Sequence, residues 1–394
     1  MEIEDAFLHD ILAHPDEDAP RLIYADWLDE RNDPRGEFIR IQCILAQLGD
    51  EDPRRWPLEQ REQELLHQHG AKWLPKNSGN IPCFFRRGFV EKIVLLLSDF
   101  PRVAGLLFEQ APIRQVSLLE PSFVSSSEQT RTDRELSKRI RDVIQSPYMA
   151  GLRCLHLGFP LGIDGLQRFL ESPFMENLSE LHLECTDLTL DAVRILANCS
   201  SLTNLTRLNL SGNRLTHEVV RILAQGRLLP QLETLCLDCN LLGDTGALMI
   251  RDWPALPRLM RLSLGHNHIF TAGVKALAEA PTLRELLSLN LSRNVSSNAG
   301  VAALASSSWT RLQALYLWFN GIGDEGIRAL AQSETLSQLR RLTLTANRIT
   351  PVGARTLIAS ATLPRLVRMD LQRNDIGTAE QQGLRDRFGP FVYC

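Results

Sequence analysis

The chain has 394 residues, 44% hydrophobic and 23% charged, with a formal net charge of -4. That length exceeds what one compact core serves, so an elongated core or several domains are expected. The charge balance offers no global field for nucleic acid or an anionic membrane, and no run of eighteen apolar residues is present to span a bilayer. The start, MEIEDAFLHD, is acidic and amphipathic, unlike a secretory signal. The eight cysteines (43, 83, 154, 185, 199, 236, 239 and 394) are scattered through core-like segments. They read as reduced thiols in a cytoplasmic protein, not as a disulfide framework.

Residues 1–75 predict a small all-α domain. Phe7, Leu8, Ile11 and Leu12 mark a first short helix, and Leu22, Ile23, Trp27 and Leu28 a second, from Asp18 or Ala19 to Glu30. A third starts near Pro34, a residue suited to a first helical turn, and runs through Phe38, Ile41, Ile44, Leu45 and Leu48. A fourth covers Leu58–His69. Cys43, in the middle of the third helix, reads as an inert buried thiol.

Residues 76–149 form a transition. FVEKIVLLL (Val90, Ile93, Leu95) and IRQVSLL (Ile113, Val116, Leu118) predict two degenerate strands. A serine-rich loop and a charged helix over about Thr132–Gln145 follow. This insertion reads as exposed surface, with a partner-binding lid as the alternative.

From residue 150 the pattern L-x-x-L-x-L-x-x-N-x-L takes over. Leu205, Leu208, Leu210, Asn213 and Leu215 match it in full, as do Leu232, Leu235, Leu237, Asn240 and Leu242. It recurs from Leu259 (Asn267), Leu286 (Asn294, with Ser296 in the last apolar slot), Leu312 (Asn320), Leu339 (Asn347) and Leu366 (Asn374). Looser copies begin at Leu152 and Leu178, with Pro160 and Thr186 in the Asn slot. Nine copies recur every 27 residues, or 26 at two steps. Such periodicity means a solenoid. The L-x-L pair alternates and is a strand, strands at fixed spacing must be parallel, and each needs a crossover to return. The Asn amide is placed to satisfy backbone groups that the turn would orphan, giving a ladder of asparagines. Gly246, Gly273, Gly300, Gly326 and Gly353 sit four residues after the last apolar slot, and an aliphatic residue follows four later. The spacing predicts a helix whose inward face needs small size there, since Ala192 and Val219 fill the same slot.

The repeats over 150–376 resemble the ribonuclease-inhibitor-like class of leucine-rich repeats. The resemblance implies an α/β leucine-rich-repeat solenoid: a horseshoe with parallel strands inside and helices outside. PRLIYADWLDERNDPRGEFIRIQ resembles an N-terminal repeat-companion domain of certain bacterial proteins, and RRGFVE at 86–91 is similar to the start of the repeat region in them. That implies a bacterial source and a domain order in which 1–75 caps the apolar end of the stack. The segment 377–394, with TAEQQGLRDRFGPFVYC from Thr378, reads as a closing amphipathic helix (Leu384, Phe388) and a short tail.

Counting the first leucine of each copy as position 1, positions 3, 5, 7 and 8 are expected to face outward or nearly so on the concave wall. Most rows there are polar or small. One differs: Tyr316, Trp318 and Phe319 come together in LYLWFN, with Arg293, Arg341, Arg368 and Arg373 on other late rows. Aromatics and arginines dominate interface hot spots, so these seven residues are the candidate partner-binding site. The plain alternative is that Phe319 tucks under the turn and Trp318 packs on its neighbours. Cys154, His156, His182, Glu184, Cys236 and Cys239 carry side chains of the zinc-ligating types. The last two lie two repeats on, roughly 10 Å by strand spacing, so the group reads as wall filler and no metal is expected.

No nucleophile–base pair, phosphate loop or H-E-x-x-H motif is present, so no catalytic residue and no cofactor are expected. His266 and His268 flank a ladder Asn and read as structural. The expected function is a non-enzymatic module that binds a protein partner on the concave face. The partner is expected to have an apolar centre and an acidic rim, and neither nucleic acid nor membrane is involved. The alternative is a scaffold, or a regulator of an enzyme or GTPase, using the N-terminal helices as a second docking site. Oligomeric state is left open.

Overall fold

The computed structural model describes residues 3–49, 52, 54–120, 129–254 and 256–394, with the backbone alone over 129–134. The serine-rich loop lies outside the described residues. The chain divides into two units: residues 1–159 with 171–179, and residues 160–170 with 180–394.

The first unit opens with four helices: α1 (Ile3–Ala13), α2 (Ala19–Asp29), α3 (Pro34–Gln47) and α4 (Arg55–His69). It continues with β1 (Cys83–Arg86), β2 (Phe89–Leu96), α5 (Phe100–Phe108), β3 (Gln115–Leu119), α6 (Gln129–Ile144) and β4 (Cys154–Gly158). The helices and both degenerate strands stand where the sequence pattern predicts them, and β1 is an addition. Arg87 and Gly88, both at positive φ, turn β1 back antiparallel onto β2. A Cβ on Gly88 would meet Ile39 Cγ1 at 2.2 Å, so the turn requires glycine both for its conformation and for its contact with α3. β2, β3 and β4 then pair in parallel.

The helices share their core with β2: Ile11, Tyr24, Ala25, Leu28, Ile39 and Cys43 pack with Phe89. A second cluster joins Phe38, Ile41, Leu45, Leu65 and Trp73. Arg21 is fully buried, its Nη2 donating to Glu91 Oε1 at 2.9 Å and its Nη1 to the Glu17 carbonyl at 2.6 Å. Arg87 donates to the same carboxylate. Removing either partner of that pair strands a buried charge, so it fixes the register of helix against strand.

The second unit starts with α7 (Gly162–Leu170) and then alternates strand and helix. Its order is β5 (Glu180–His182), α8 (Leu190–Ala197), β6 (Arg207–Asn209), α9 (Glu218–Gln225), β7 (Thr234–Cys236), α10 (Gly243–Arg251), β8 (Arg261–Ser263) and α11 (Thr271–Glu279). Then come β9 (Ser288–Asn290), α12 (Ser297–Ala305), β10 (Ala314–Tyr316), α13 (Asp324–Ala331), β11 (Arg341–Thr343), α14 (Pro351–Ile358), β12 (Arg368–Asp370), α15 (Thr378–Phe388) and β13 (Val392–Tyr393). Consecutive strands pair in parallel with their central residues aligned: Leu181, Leu208, Leu235, Leu262, Leu289, Leu315, Leu342 and Met369. All eight are buried. The unit is an α/β repeat solenoid.

The asparagine ladder is present. Asn213 Nδ2 donates to the carbonyls of Leu183 (2.7 Å) and Leu210 (3.0 Å), joining its own repeat to the preceding one. Two of the three departures, Thr186 and Ser296, fit the same scheme. Thr186 donates its N–H to Asn213 Oδ1 at 3.0 Å. Ser296, in an apolar slot, is fully buried and donates its hydroxyl to Asn320 Oδ1 at 2.8 Å.

Helix entry shows a device that the leucine pattern conceals. Asp244 Oδ1, on α10, accepts the N–H groups of Phe270 (2.7 Å) and Gly273 (2.9 Å) at the start of α11. Asn298 does the same for Gly323, and Asp324 for Thr350. Each of these helices is capped by a side chain of the preceding one. The small residue at the glycine slot follows from this: a Cβ on Gly273 would come within 2.5 Å of Asp244 Oδ1. None of the five slot glycines has positive φ, as their size-based reading requires.

The C-terminal tail does more than close a helix. Val392 and Tyr393 form a last parallel strand against Met369 and Asp370. Among the described residues no helix is long and apolar enough to cross a membrane.

Candidate partner-binding face

The side chains of the strand face are set by one repeated backbone feature. At position 8 the chain adopts a left-handed conformation in every copy from Leu178 on. Cys185, Gly212, Cys239, His266, Arg293, Phe319, Ala346 and Arg373 have φ between 52° and 71°. Seven of these are not glycine, and a left-handed L residue costs roughly 1–2 kcal/mol. The offset is an inter-repeat hydrogen bond: the Arg293 N–H donates to the Trp318 carbonyl at 2.8 Å, and the Phe319 N–H to that of Thr345 at 2.9 Å. The turn aims the position-8 side chain away from the core.

That geometry sets how the aromatic row is presented. Phe319 is 60% exposed and does not tuck under the turn, and Trp318 is 36% exposed. Tyr316 is half-buried and Ala314, in the same row, is buried. Arg293 from the preceding repeat stacks on both exposed rings, its Cζ 5.2 Å from the Trp318 ring centre and 5.8 Å from that of Phe319. On the other side Arg341 lies 5.2 Å from the Tyr316 ring. The fold therefore brings five of the seven candidate residues into one cluster. Arg368 is turned to a different ring, 5.8 Å over Tyr393 of β13. Arg373 is exposed two repeats beyond Phe319. Tyr393 was missed in the sequence; its only signal is the terminal FVY, too short to carry a repeat pattern.

Over the four late rows, positions 3, 5, 7 and 8 hold four arginines (293, 341, 368, 373) against one carboxylate, Asp370. Cations beside exposed aromatic faces suit an apolar contact ringed by acidic groups.

The earlier rows of the same unit are polar and largely self-paired. Glu180 pairs with Arg207, and His182 Nδ1 lies 3.3 Å from Glu184 Oε1. The hydrogen bond from His182 and the Arg207 charge hold the Glu180 carboxyl down at about 2. Asp238 accepts from Ser263 Oγ and the Gly265 N–H, while burial pushes its pKa upward. Burial also drives the Cys236 thiol up to about 12 and that of Cys43 to about 11. Cys154, expected to face outward, is instead 5% exposed, its short side chain covered within the wall.

Comparison with known families agrees with this architecture. Two profiles of one family, described as Leucine Rich Repeat, match residues 204–225 and 310–331. No curated protein matches the chain. Among solved structures, an internalin (inlF) from Listeria monocytogenes is similar at 16% identity and a TM-score of 0.38, over 70% of this chain and 98% of that one. Both profile matches fall on copies of the 27-residue pattern, one of them on the aromatic row. The chain is a leucine-rich-repeat protein.

Proposed function

We propose that this chain is a non-enzymatic protein-binding module that holds its partner on the strand face of the second unit. The observation that carries the reading is the pair of exposed rings, Trp318 and Phe319, with the Arg293 guanidinium stacked on both. Leucine-rich-repeat proteins generally mediate protein–protein interaction, which fits a face of this kind. Arg341, Arg368 and Arg373 extend the cationic border, so the partner carries an apolar centre and an acidic rim, and is neither nucleic acid nor membrane. We assign the repeats to the ribonuclease-inhibitor-like class on their 27-residue strand-plus-helix length. The helices at 1–75 are assigned to the bacterial repeat-companion domain on the RLIYADWLDERNDPRGEF string. We place the protein in the cytoplasm, a reading supported by eight cysteines scattered without pairing.

A second reading has its own observation. α3 and α4 border a groove of about 1080 Å3 that includes Trp56, 47% exposed, beside Leu45, Leu48 and Phe85. A scaffold, or a regulator of an enzyme or GTPase, would use this groove as a second dock.

Cross-linked capture from the native cell lysate, comparing wild type with Trp318→Ala and Trp56→Ala, separates the two. Loss of one specific partner with Trp318→Ala supports the strand-face binder. Loss with Trp56→Ala alone supports the scaffold, and an unchanged partner set with Trp318→Ala removes the aromatic row from the function.

A further inference from the structure

Arg35 is the second residue of α3. Pro34 opens that helix and the Asp33 side chain accepts the Arg35 N–H at 2.9 Å, so the backbone beneath the side chain is fixed. The guanidinium then lies across two rings of the first core, its Cζ 4.8 Å from the Phe89 ring centre and 6.0 Å from that of Tyr24. Its Nε is sealed from solvent and has no acceptor. Among the described residues the whole guanidinium makes no hydrogen bond and no ion pair. Arg21, the fully buried arginine of this unit, is paired with Glu91 and a backbone carbonyl. Glu4, a carboxylate that acts on Arg35 only through space, accepts the Tyr24 hydroxyl on its Oε1 at 2.6 Å. Burial lowers the affinity of Arg35 for its proton, with Tyr24, Glu4 and Asp33 opposing that effect only through space.

A guanidinium presents five N–H donors in a planar fork, shaped for a carboxylate or phosphate. A guanidinium N–H sealed from water without an acceptor is costly, and stacking on aromatic faces offsets only part of the cost. This fork borders a cavity of about 460 Å3, within the usual range for small-ligand sites. Lys72 and Lys76 line the same cavity, giving three cations against the two carboxylates of Glu4 and Asp5. The Lys76 segment is pinned in place, its N–H donating to Gln110 Oε1 at 2.8 Å and its carbonyl accepting from Gln110 Nε2 at 3.3 Å. The remaining wall is largely apolar, with Leu8, Trp73 and Phe89.

We propose that this cavity is a binding site for a small organic oxyanion, a carboxylate or phosphate monoester on an apolar body, with Arg35 as the fork that receives it. The aromatic shelf orients the fork and seals one side, Lys72 and Lys76 supply attraction, and the apolar wall takes the body of the ligand. The site lies in the first unit and is independent of the aromatic row.

The test is calorimetric titration of the full-length protein with phenylacetate, phenyl phosphate and inorganic phosphate at constant ionic strength. Saturable binding of phenylacetate or phenyl phosphate is expected, with phenyl phosphate tighter than inorganic phosphate. Arg35→Met preserves much of the side-chain volume and should weaken binding by about tenfold or more. Lys72→Gln with Lys76→Gln leaves the core untouched and should weaken it severalfold, so the proposal is testable even where Arg35→Met does not fold. Absence of saturable binding for all three probes overturns the site. Undiminished binding by the variants overturns the role of Arg35 and the lysines, and equal affinity for phenyl phosphate and inorganic phosphate overturns the apolar body.

Discussion

Asn240 Oδ1 accepts the backbone N–H groups of Asn213 and Leu215, at 3.1 and 2.9 Å, across the boundary between two repeats. Its Nδ2 meanwhile donates to the carbonyls of Leu210 (3.1 Å) and Leu237 (3.0 Å). One fully buried amide thus satisfies four backbone groups that no water reaches. Asn240→Ala orphans the two N–H groups, while the Leu210 and Leu237 carbonyls keep the amide donors of Asn213 and Asn267, and should cost about 2–4 kcal/mol in urea unfolding. Asn374, in the last copy, is half-buried and its Oδ1 accepts only the Ile349 N–H, at 3.1 Å. Asn374→Ala should cost about 1 kcal/mol. Equal losses at the two positions would mean that the rungs do not act through buried satisfaction.

Gly273→Ala sets two effects against each other. Alanine in a helix is favoured over glycine by about 1 kcal/mol. The new Cβ, however, meets Asp244 Oδ1 at 2.5 Å, Ile269 Cγ2 at 2.7 Å and Ala247 Cβ at 3.0 Å. It displaces the carboxylate that caps α11, and the lost cap plus overpacking is worth roughly 2–4 kcal/mol. The net expectation is a destabilisation of about 1–3 kcal/mol, read from denaturant midpoints. Asp244→Asn with Gly273→Ala should be no better, because the clash is steric. A stabilised single variant would show that the cap is dispensable.

The parts of this fold that the sequence reveals are those repeated locally. The strand leucines and the ladder Asn recur at a near-constant spacing, so the solenoid and its hydrogen-bonding logic can be read from the copies that follow Leu205. The left-handed turn at position 8 cannot, because Cys185, Arg293 and Phe319 carry no residue-type signal for it; the inter-repeat bonds impose it. The caps from Asp244 and Asp324 are hidden for the same reason, since donor and acceptor are 26–29 residues apart. The aromatic row was visible because three large rings occupy slots that are polar or small elsewhere. Which arginines reach it was not, since Arg368 has a competing ring in Tyr393, supplied by a strand too short to predict. Arg35 shows the limit most clearly: its isolation depends on Phe89, 54 positions on, and on a tyrosine whose hydroxyl has taken the available carboxylate.

Thiol reactivity should follow burial and charge and not position in the repeat. Cys185 and Cys239 are exposed at position 8, whereas Cys236 is only partly exposed and its thiol is pushed up to about 12. Cys43 is buried in α3 and raised to about 11. At pH 8 only about one part in ten thousand of Cys236 would be thiolate, the form that alkylates. Iodoacetamide labelling followed by peptide mass analysis should modify Cys185 first, and Cys43 and Cys236 only after denaturation. Cys236 is the informative site: labelling there at the rate of Cys185 would show that the burial of its strand-face row is wrong.

Glu180 offers a pH signature within the second unit. Its side chain is mostly buried, hydrogen-bonded by His182 and paired with Arg207, and its folded pKa of about 2 lies below the ordinary glutamate value of 4.5. A carboxyl depressed in the folded state contributes stability that is fully present above the unfolded value and is lost as pH falls through the folded one. After allowance for partial solvent screening the contribution is about 2 kcal/mol. Glu180→Gln should therefore be less stable than wild type by about that amount at pH 7. The gap should narrow progressively between pH 4.5 and pH 2, the window set by the two pKa values. Urea unfolding of both proteins at pH 7, 4 and 3 measures it. Parallel stability profiles across that window would mean that Glu180 gains nothing from His182 and Arg207 on folding, and that the polar strand rows are ordered by their backbone alone.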